Sequence, residues 1–173
     1  MRWVMGAIAA MCLGGTASAM TITSADFKDG AALPTVHIYP RCGGENVSPG
    51  FTWSGVPDAA RSLVFTMIDV SVKPNGWSHW IVVDLAPSAT GLVRGAKELP
   101  EGAKAGGSNF GDPFYDGPCP PPGTGTHRYE FTVWAMPGPV TSLPADGPAT
   151  ELRALLAKTA LDHATIAASV TAK

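Results

Sequence analysis

The sequence predicts a single domain that is mostly β-structured, and three observations lead to that fold class. Glycine (20 residues) and proline (16 residues) are frequent and spread along the chain, which indicates many turns between short strands. Several stretches have the apolar patterns of strands, whereas one has the spacing of an amphipathic helix. The length of 173 residues suits one domain with a substantial core.

Three segments carry the strongest strand signals. Residues 62–69 and 79–85 are apolar on both faces, as in strands that are buried on both sides of a sheet. Residues 127–136 alternate instead, and one face begins with His127 and Tyr129. Weaker strand signals occur in four further segments, residues 20–24, 35–39, 51–53 and 164–171.

One helix and one long loop complete the outline. The helix is expected to begin near residues 148–150, where a proline suits the first turn. The stretch from Val93 to Gly125 is dense in glycine, proline, asparagine and aspartate, and loops of that length in compact domains are usually functional. The helix has a stripe that would pack against the sheet, formed by Leu152, Leu155, Leu156 and Thr159.

The N-terminus has the three parts of a secretory signal. Arg2 gives a positive start, residues 4–13 form an apolar run, and Ala17-Ser18-Ala19 fits a signal peptidase site. The run is shorter than the roughly 20 apolar residues of a permanent membrane anchor. We therefore expect a signal peptide over residues 1–19.

Cleavage near Ala19 would release residues 20–173 into the periplasm or the medium. No later stretch is long and apolar enough to span a membrane, so we do not expect the mature protein to span one. Two alternatives are a buried N-terminal helix and a lipoprotein attached at Cys12. The lipoprotein pattern fits poorly, because Met11 stands where that pattern needs a small residue.

The charge balance argues against polyanionic partners. Charged residues make up 15% of the chain, below the usual quarter. Without Arg2, the 12 basic and 14 acidic residues become 11 and 14, a formal net charge of −3. Because no basic stripe is present, we expect neither nucleic acid nor an anionic membrane surface as partner.

Loss of the signal also removes Cys12 and leaves two cysteines, Cys42 and Cys119. An even number of cysteines in an exported domain favours a disulfide. Closing a loop of about 77 residues would stabilise the fold by roughly 4 kcal/mol. Two separate buried thiols are the alternative.

Polar side chains stand at the ends of the three strong strands, beside the long loop. Asp69 ends the first strand, His79 opens the second, and His127 and Tyr129 share a face of the third. Such a group can bind an anion if the histidines and the tyrosine donate hydrogen bonds while the carboxylate fixes a histidine tautomer. The alternative is a purely structural His79 that is tied to Asp69.

Five segments of the chain form a recognisable series: residues 45–49, 53–57, 77–80, 109–111 and 117–129. Their order and composition resemble the phosphatidylethanolamine-binding protein family, in its bacterial, Raf kinase inhibitor-like branch. The resemblance covers about residues 22–172, and its most specific part is the His-Arg-Tyr block with its proline and glycine lead-in.

The resemblance implies a Greek-key β-sandwich with one or two peripheral helices and a small, rigid surface pocket. That pocket would hold phosphate, acetate or a phosphoryl headgroup, with His79 and Tyr129 as direct donors to the anion. Glycine in the pocket would let backbone N–H groups approach the ligand. The other implied pocket residues are Trp77, Gly117 and Pro121 as walls and rim, His127 close by, and Asp69 behind.

The chain departs from the family pattern directly after Asp69. The family usually has Asp-Pro-Asp-x-Pro here, whereas this chain has Val70 and Ser71 in place of the proline and the second aspartate. One negative charge fewer should favour anions. The altered loop should change the rim and therefore the ligand.

Three functions are compatible with this pattern. The first is an exported binding protein that holds a phosphorylated or carboxylated ligand without turnover. The second is an inhibitor or regulator of an exported enzyme that acts by protein contact, and the third is a hydrolase. The segment around Ser108 lacks the closing glycine of a nucleophile elbow, and a disulfide would leave no cysteine nucleophile.

We expect no cofactor and no metal. A metal site of His79, His127 and Asp69 is conceivable, but no His-x-His or Cys-x-x-Cys spacing supports it. Anion binding should weaken as pH rises through the histidine pKa, which is about 6.5 if unperturbed, because a charged imidazole attracts the anion.

Overall fold

The computed structural model describes residues 19–140 and 148–172. The expected signal peptide therefore lies outside the described residues except for Ala19. The described strands are β1 (Thr21–Thr23), β2 (Phe51–Ser54), β3 (Ser62–Asp69), β4 (Trp77–Leu85), β5 (Gly91–Leu92), β6 (Lys104–Ala105), β7 (Thr126–Met136) and β8 (Asp162–Thr171). The α-helix α1 spans Ala149–Thr159, and two short 3₁₀ helices span Thr35–His37 and Pro40–Cys42.

The strands form two sheets that enclose the main core. The smaller sheet has the order β1-β2-β5, and the larger has the order β6-β4-β3-β7-β8. Aromatic rings pack between the sheets, and the centroids of Phe51 and Phe131 are 5.0 Å apart. The sequence-based prediction of a mostly β, two-sheet domain with a peripheral helix is therefore confirmed.

Burial of both faces of the larger sheet explains why β3 is apolar on both of its faces. All eight of its residues are buried, because the main core covers one face and α1 covers part of the other. The residues of this second, smaller core are Val64, Ile81, Val83, Trp134, Met136, Leu152 and Leu156.

The helix begins where the sequence indicates, but its buried stripe is narrower than expected. Leu152 and Leu156 are 1% exposed and lie one turn apart, whereas Leu155 is 42% exposed. Thr159 is also exposed, and its hydroxyl donates to the carbonyl of Leu155. The inclusion of Leu155 and Thr159 was wrong, because only one row of the helix reaches the sheet.

No helix within the described ranges is long and apolar enough to cross a membrane.

The strand expected over residues 35–39 is wrong, since the segment forms the first 3₁₀ helix. Pro34 has φ −59° and precedes that turn, and Pro40 opens the second 3₁₀ helix. Proline fixes φ near −65° and cannot donate in a ladder, so two prolines around five residues favour turns over a strand. The turn buries His37 completely.

A disulfide joins Cys42 to Cys119, as the paired-cysteine interpretation predicts. Cys42 ends the second 3₁₀ helix, and Cys119 lies in the long loop before β7. The bond therefore ties two segments 77 residues apart to one another at the same end of the larger sheet.

Candidate functional site

The central strands of the larger sheet bring the polar residues together. Asp69 at the end of β3 pairs with Trp77 of β4 on one side and with Tyr129 of β7 on the other. His127 is two residues before Tyr129 on the same face of β7, which follows from the two-residue period of a strand. The register alone therefore places these side chains at one end of the sheet.

His79 enters this cluster through a β-bulge. Ser78 pairs with Ile68 and Trp80 pairs with Met67, so β4 has one residue more than β3 at this point. The extra residue is His79. Bulges redirect a side chain and are common beside functional sites.

A cleft of about 460 Å³ opens at this end of the sheet. The structure brings all seven sequence-predicted pocket residues to its walls: Asp69, Trp77, His79, Gly117, Pro121, His127 and Tyr129. Six further residues line it without having been predicted: Tyr39, Arg41, Val72, Phe110, Cys119 and Pro120.

The ring of His79 is fixed by a backbone carbonyl. Its Nδ1 lies 2.7 Å from the carbonyl oxygen of Asp116, and the residue is only 4% exposed. Burial, partly offset by this hydrogen bond and by the charge of Asp69, lowers the pKa of His79 to about 4. The alternative that ties His79 to Asp69 is therefore wrong, and the pKa of about 6.5 given for an unperturbed histidine does not apply at this position.

The histidine that Asp69 holds is His127. Its Nδ1 lies 2.6 Å from Oδ2 of Asp69, and its Nε2 lies 2.9 Å from the hydroxyl oxygen of Thr124. That hydroxyl lies 2.7 Å from the carbonyl oxygen of Pro121, and two oxygens at this distance must share a proton. Thr124 therefore donates to Pro121 and accepts from His127. Both nitrogens of His127 can then donate, and a doubly protonated ring paired with Asp69 fits this arrangement.

The loop that departs from the family pattern is also held by Asp69. Oδ1 of Asp69 accepts the N–H of Ser71 at 2.9 Å, and the hydroxyl oxygen of Ser71 accepts the N–H of Arg128 at 2.9 Å. Ser71 therefore anchors the loop to β7 where the family usually has a carboxylate. The second negative charge is absent, while the loop remains ordered by hydrogen bonds.

Tyr129 supplies a phenol that stays protonated. The residue is 1% exposed, and its ring centroid lies 5.2 Å from that of His79. Burial, followed by the charge of Asp69 and a hydrogen bond to it, raises the pKa of Tyr129 well above its ordinary value. The hydroxyl can therefore donate its single proton either to Asp69 or to a ligand.

The rim of the cleft is aromatic and carries one cation. Trp77 and Phe110 are 38% and 48% exposed, and their ring centroids are 5.7 Å apart. Phe110 also packs against His79, and the centroids of these two rings are 5.0 Å apart. Arg41 is exposed and is the one arginine or lysine among the described residues that line the cleft.

Sequence reasoning missed Arg41 and Phe110 for different reasons. Arg41 precedes Cys42, and the disulfide brings it to the cleft, so the paired cysteines were the available signal. Phe110 belongs to one of the five family-like segments, but nothing in that segment indicates where its ring points.

Close packing of the neighbouring backbone explains why residue 117 is a glycine. A Cβ on this residue would collide with the carbonyl oxygen of His37 and would lie 2.8 Å from the backbone nitrogen of Tyr39. Its N–H donates to Oδ1 of Asn46 at 2.7 Å. The N–H of Gly117 is therefore used within the protein and does not face the cleft, and a glycine is required here for close backbone packing.

Comparison with known proteins agrees with the fold and the motifs. Residues 23–171 match the family model described as phosphatidylethanolamine-binding protein. The chain is 37% identical over 137 residues to YbcL of Escherichia coli strain K12, and the match covers 75% of each chain. The crystal structure of YbcL has a TM-score of 0.79 at 32% identity and covers 90% of this chain and 100% of its own.

Two further relatives extend this likeness. The crystal structure of CT736 from Chlamydia trachomatis has a TM-score of 0.71 at 30% identity and covers 88% of this chain and 97% of its own. LppC of Mycobacterium tuberculosis, which is named as a lipoprotein, is 38% identical over 121 residues, 70% of this chain and 57% of LppC. The chain belongs to the phosphatidylethanolamine-binding protein family, in its bacterial branch.

Proposed function

We propose that this protein is an exported binding protein whose cleft holds a small phosphorylated or carboxylated ligand without turning it over. The observation that carries the proposal is the convergence of His79, Tyr129 and Arg41 on one pre-formed cleft. Polar groups held in a fixed arrangement within an otherwise apolar cleft are typical of small-molecule sites. The family's name, which refers to a phospholipid, supports a phosphoryl ligand.

The rigidity of the walls supports binding without large rearrangement. The cleft wall at Gly117 is held by Asn46, whose Nδ2 also donates to the carbonyl of Tyr115 at 3.3 Å. The Cys42–Cys119 disulfide holds a neighbouring part of the rim. Because these groups are ordered before a ligand arrives, less conformational entropy is lost on binding.

The charges around the cleft favour an anion. Asp69 and the imidazolium of His127 compensate one another, so their pair adds no net charge. Arg41 then gives the lining a positive balance, and its guanidinium suits the geometry of a phosphate or carboxylate. In this proposal Tyr129 donates to the anion, His79 contacts it, and Trp77 and Pro121 enclose it.

The absence of turnover in this proposal rests on the hydroxyl groups near the cleft. The hydroxyl oxygen of Ser108 accepts the N–H of Phe110 at 3.3 Å and lies 3.5 Å from the carbonyl oxygen of Asp112. The hydroxyl of Ser78 donates to Oδ1 of Asn109 at 3.0 Å. Within the described residues, neither serine forms a hydrogen bond to a histidine, whereas an activated nucleophile needs such a base. The hydroxyl of Thr124 does contact His127, but it donates its proton to the carbonyl of Pro121 and not to the ring.

The export part of the proposal has independent support. A disulfide is typical of proteins from oxidising compartments, and the chain contains one. The relative LppC carries a lipoprotein name, which also fits export. Mass spectrometry of the protein purified from an exporting host should give a mature N-terminus at Met20.

Titration calorimetry of the exported protein tests the binding proposal. Phosphate monoesters and small carboxylates should bind saturably at one site, and a panel of phosphate esters, carboxylic esters and peptides should not turn over. The exposed aromatic rim favours the alternative, a regulator that acts by protein contact. No binding of any small anion would support that alternative.

A further inference from the structure

His79 presents a hydrogen-bond acceptor to the cleft. A carbonyl oxygen can only accept, so the 2.7 Å contact with Asp116 places a proton on Nδ1 of His79. The other ring nitrogen, Nε2, has no hydrogen-bond partner among the described residues. With one proton on the ring, Nε2 carries a lone pair, and the pKa of about 4 means that the ring has no second proton near neutral pH.

The groups around this ring do not supply the missing proton. The charge of Asp69 favours a second proton on His79, but Asp69 is already paired with His127, whose charge opposes it. Tyr129 has a single proton, which it shares with Asp69. The charged and titratable groups that line the cleft with His79 or contact its ring are Asp69 at the end of β3, His127 and Tyr129 of β7, Asp116 of the long loop, and Tyr39 and Arg41 near the disulfide.

The cleft therefore offers one lone pair beside one phenol donor and one guanidinium. A fully ionised oxyanion meets the donors well, but it places a second lone pair against Nε2 of His79. An oxyanion that keeps one proton satisfies all three groups, because its O–H can donate to Nε2 while its other oxygens accept.

We propose that the cleft selects the monoanion of a phosphate monoester, which keeps one proton and donates it to Nε2 of His79. This inference rests on the proposed function and names the ionic form that the cleft takes. A sulfate monoester has the same charge and shape but has no proton to donate. A phosphate diester is likewise a monoanion without a proton.

The proposal requires binding to be coupled to proton uptake. The second pKa of a phosphate monoester is about 6, so near pH 7 the ester in solution is mostly the dianion. Forming the complex then takes up nearly one proton from the buffer. The proton is shared between a phosphoryl oxygen and Nε2 of His79, and no covalent bond changes.

Phenyl phosphate, phenyl sulfate and methyl phenyl phosphate form a matched set of probes for the exported protein. In titration calorimetry at pH 6, the affinity for phenyl phosphate should be higher than that for the other two by about 10-fold or more. The reason is that the sulfate ester and the diester cannot form the charge-assisted hydrogen bond to His79. In His79→Ala the three affinities should become equal. In the control His163→Ala, which changes an exposed histidine at the far end of the sheet, the preference should remain. At pH 7, titrations in two buffers of different ionisation enthalpy should report uptake of nearly one proton.

The outcomes separate this inference from the proposed function. Equal affinities in the unmodified protein, or binding of phenyl phosphate without proton uptake, would overturn the inference and leave an anion-binding protein. Failure of all three probes and of small carboxylates such as acetate to bind between pH 5 and pH 8 would overturn the proposed function itself. Since the three probes are compared on the unmodified protein, the test stands even if His79→Ala does not fold.

Discussion

Nδ1 of His127 lies 2.6 Å from Oδ2 of Asp69, with both side chains almost fully buried. The other nitrogen of His127 donates to Thr124, so both ring nitrogens have acceptors within the protein. Removing one partner of a buried ion pair leaves the other charge without compensation, which costs more than the pair itself contributes.

Asp69→Asn should therefore lower the free energy of unfolding by about 3–5 kcal/mol. His127→Gln should have a comparable effect, and the double variant should lose much less than the sum, because neither charge then remains buried alone. Urea unfolding of the three variants measures this coupling. Lys104→Met, which breaks the exposed ion pair of Lys104 with Asp84, is the control and should cost at most about 1 kcal/mol. Additive losses for the Asp69 and His127 changes would contradict the pairing.

The disulfide should be complete in the exported protein. Intact mass after alkylation without reduction should show no free thiol, and two alkylated cysteines would contradict the bond. Replacing Cys42 and Cys119 by serine should lower the free energy of unfolding by about 2–4 kcal/mol. The same change should weaken ligand binding, because Cys119 lines the cleft and Arg41 precedes Cys42.

His79 should make the protein less stable in acid. Its pKa is about 4 in the folded state against an ordinary value of 6.5, so between these pH values the unfolded chain binds more protons. The unfolding free energy therefore falls as pH drops from about 6.5 to 4, by up to about 3 kcal/mol from this residue. Relative to the unmodified protein, His79→Gln should gain stability across this window.

Asp116 should act in the opposite direction. Burial, followed by the charge of Asp112, raises the pKa of Asp116 from 3.8 to about 6, so the folded state binds more protons below pH 6. This contribution to stability grows as pH falls from about 6 to 4 and is lost as pH rises through 6. Asp116→Asn should thus lose stability towards acid more steeply than the unmodified protein. Thermal unfolding of both variants from pH 4 to pH 7 checks the two signs, and parallel curves for all three proteins would contradict the assignment.

Arg41 should strengthen anion binding through long-range attraction and contact. Arg41→Gln is expected to weaken the affinity for phenyl phosphate by several-fold at low salt and by less at high salt, because exposed charges are screened. Lys158→Gln, on the exposed side of α1, is the matched loss of one positive charge away from the cleft. Calorimetric titration at two salt concentrations measures both variants. Equal effects of the two changes would mean that only net charge matters.

The strongest sequence patterns predicted the sheet, and the places where prediction failed have local causes. β3 and β7 could be predicted because their patterns record burial on both faces or on alternate residues. Residues 35–39 alternate like a strand, but the flanking Pro34 and Pro40 favour turns. Leu155 fits the helical stripe by spacing, yet it is 42% exposed and the described part of the sheet leaves it uncovered.

The pocket residues could be predicted from motif order, but their hydrogen bonds could not. The sequence suggests that Asp69 fixes a histidine, and it offers two histidines at strand starts. His127 forms the hydrogen bond to the carboxylate of Asp69 because it lies on β7 with Tyr129, the residue that pairs with Asp69. His79 is fixed instead by the carbonyl of Asp116, 37 residues away, and a backbone acceptor carries no signal in residue type.

Calorimetric titration of phenyl phosphate into the exported protein, its His79→Ala and Tyr129→Phe variants and the His163→Ala control tests the central claim most directly. The account predicts saturable binding at one site, with affinity about 10-fold or more lower in the first two variants, because each loses a hydrogen bond to a charged group. The control should bind as the unmodified protein does. Melting curves identify any variant that has lost its fold. Unchanged affinity in folded His79→Ala and Tyr129→Phe would contradict the claim that this cleft is the binding site.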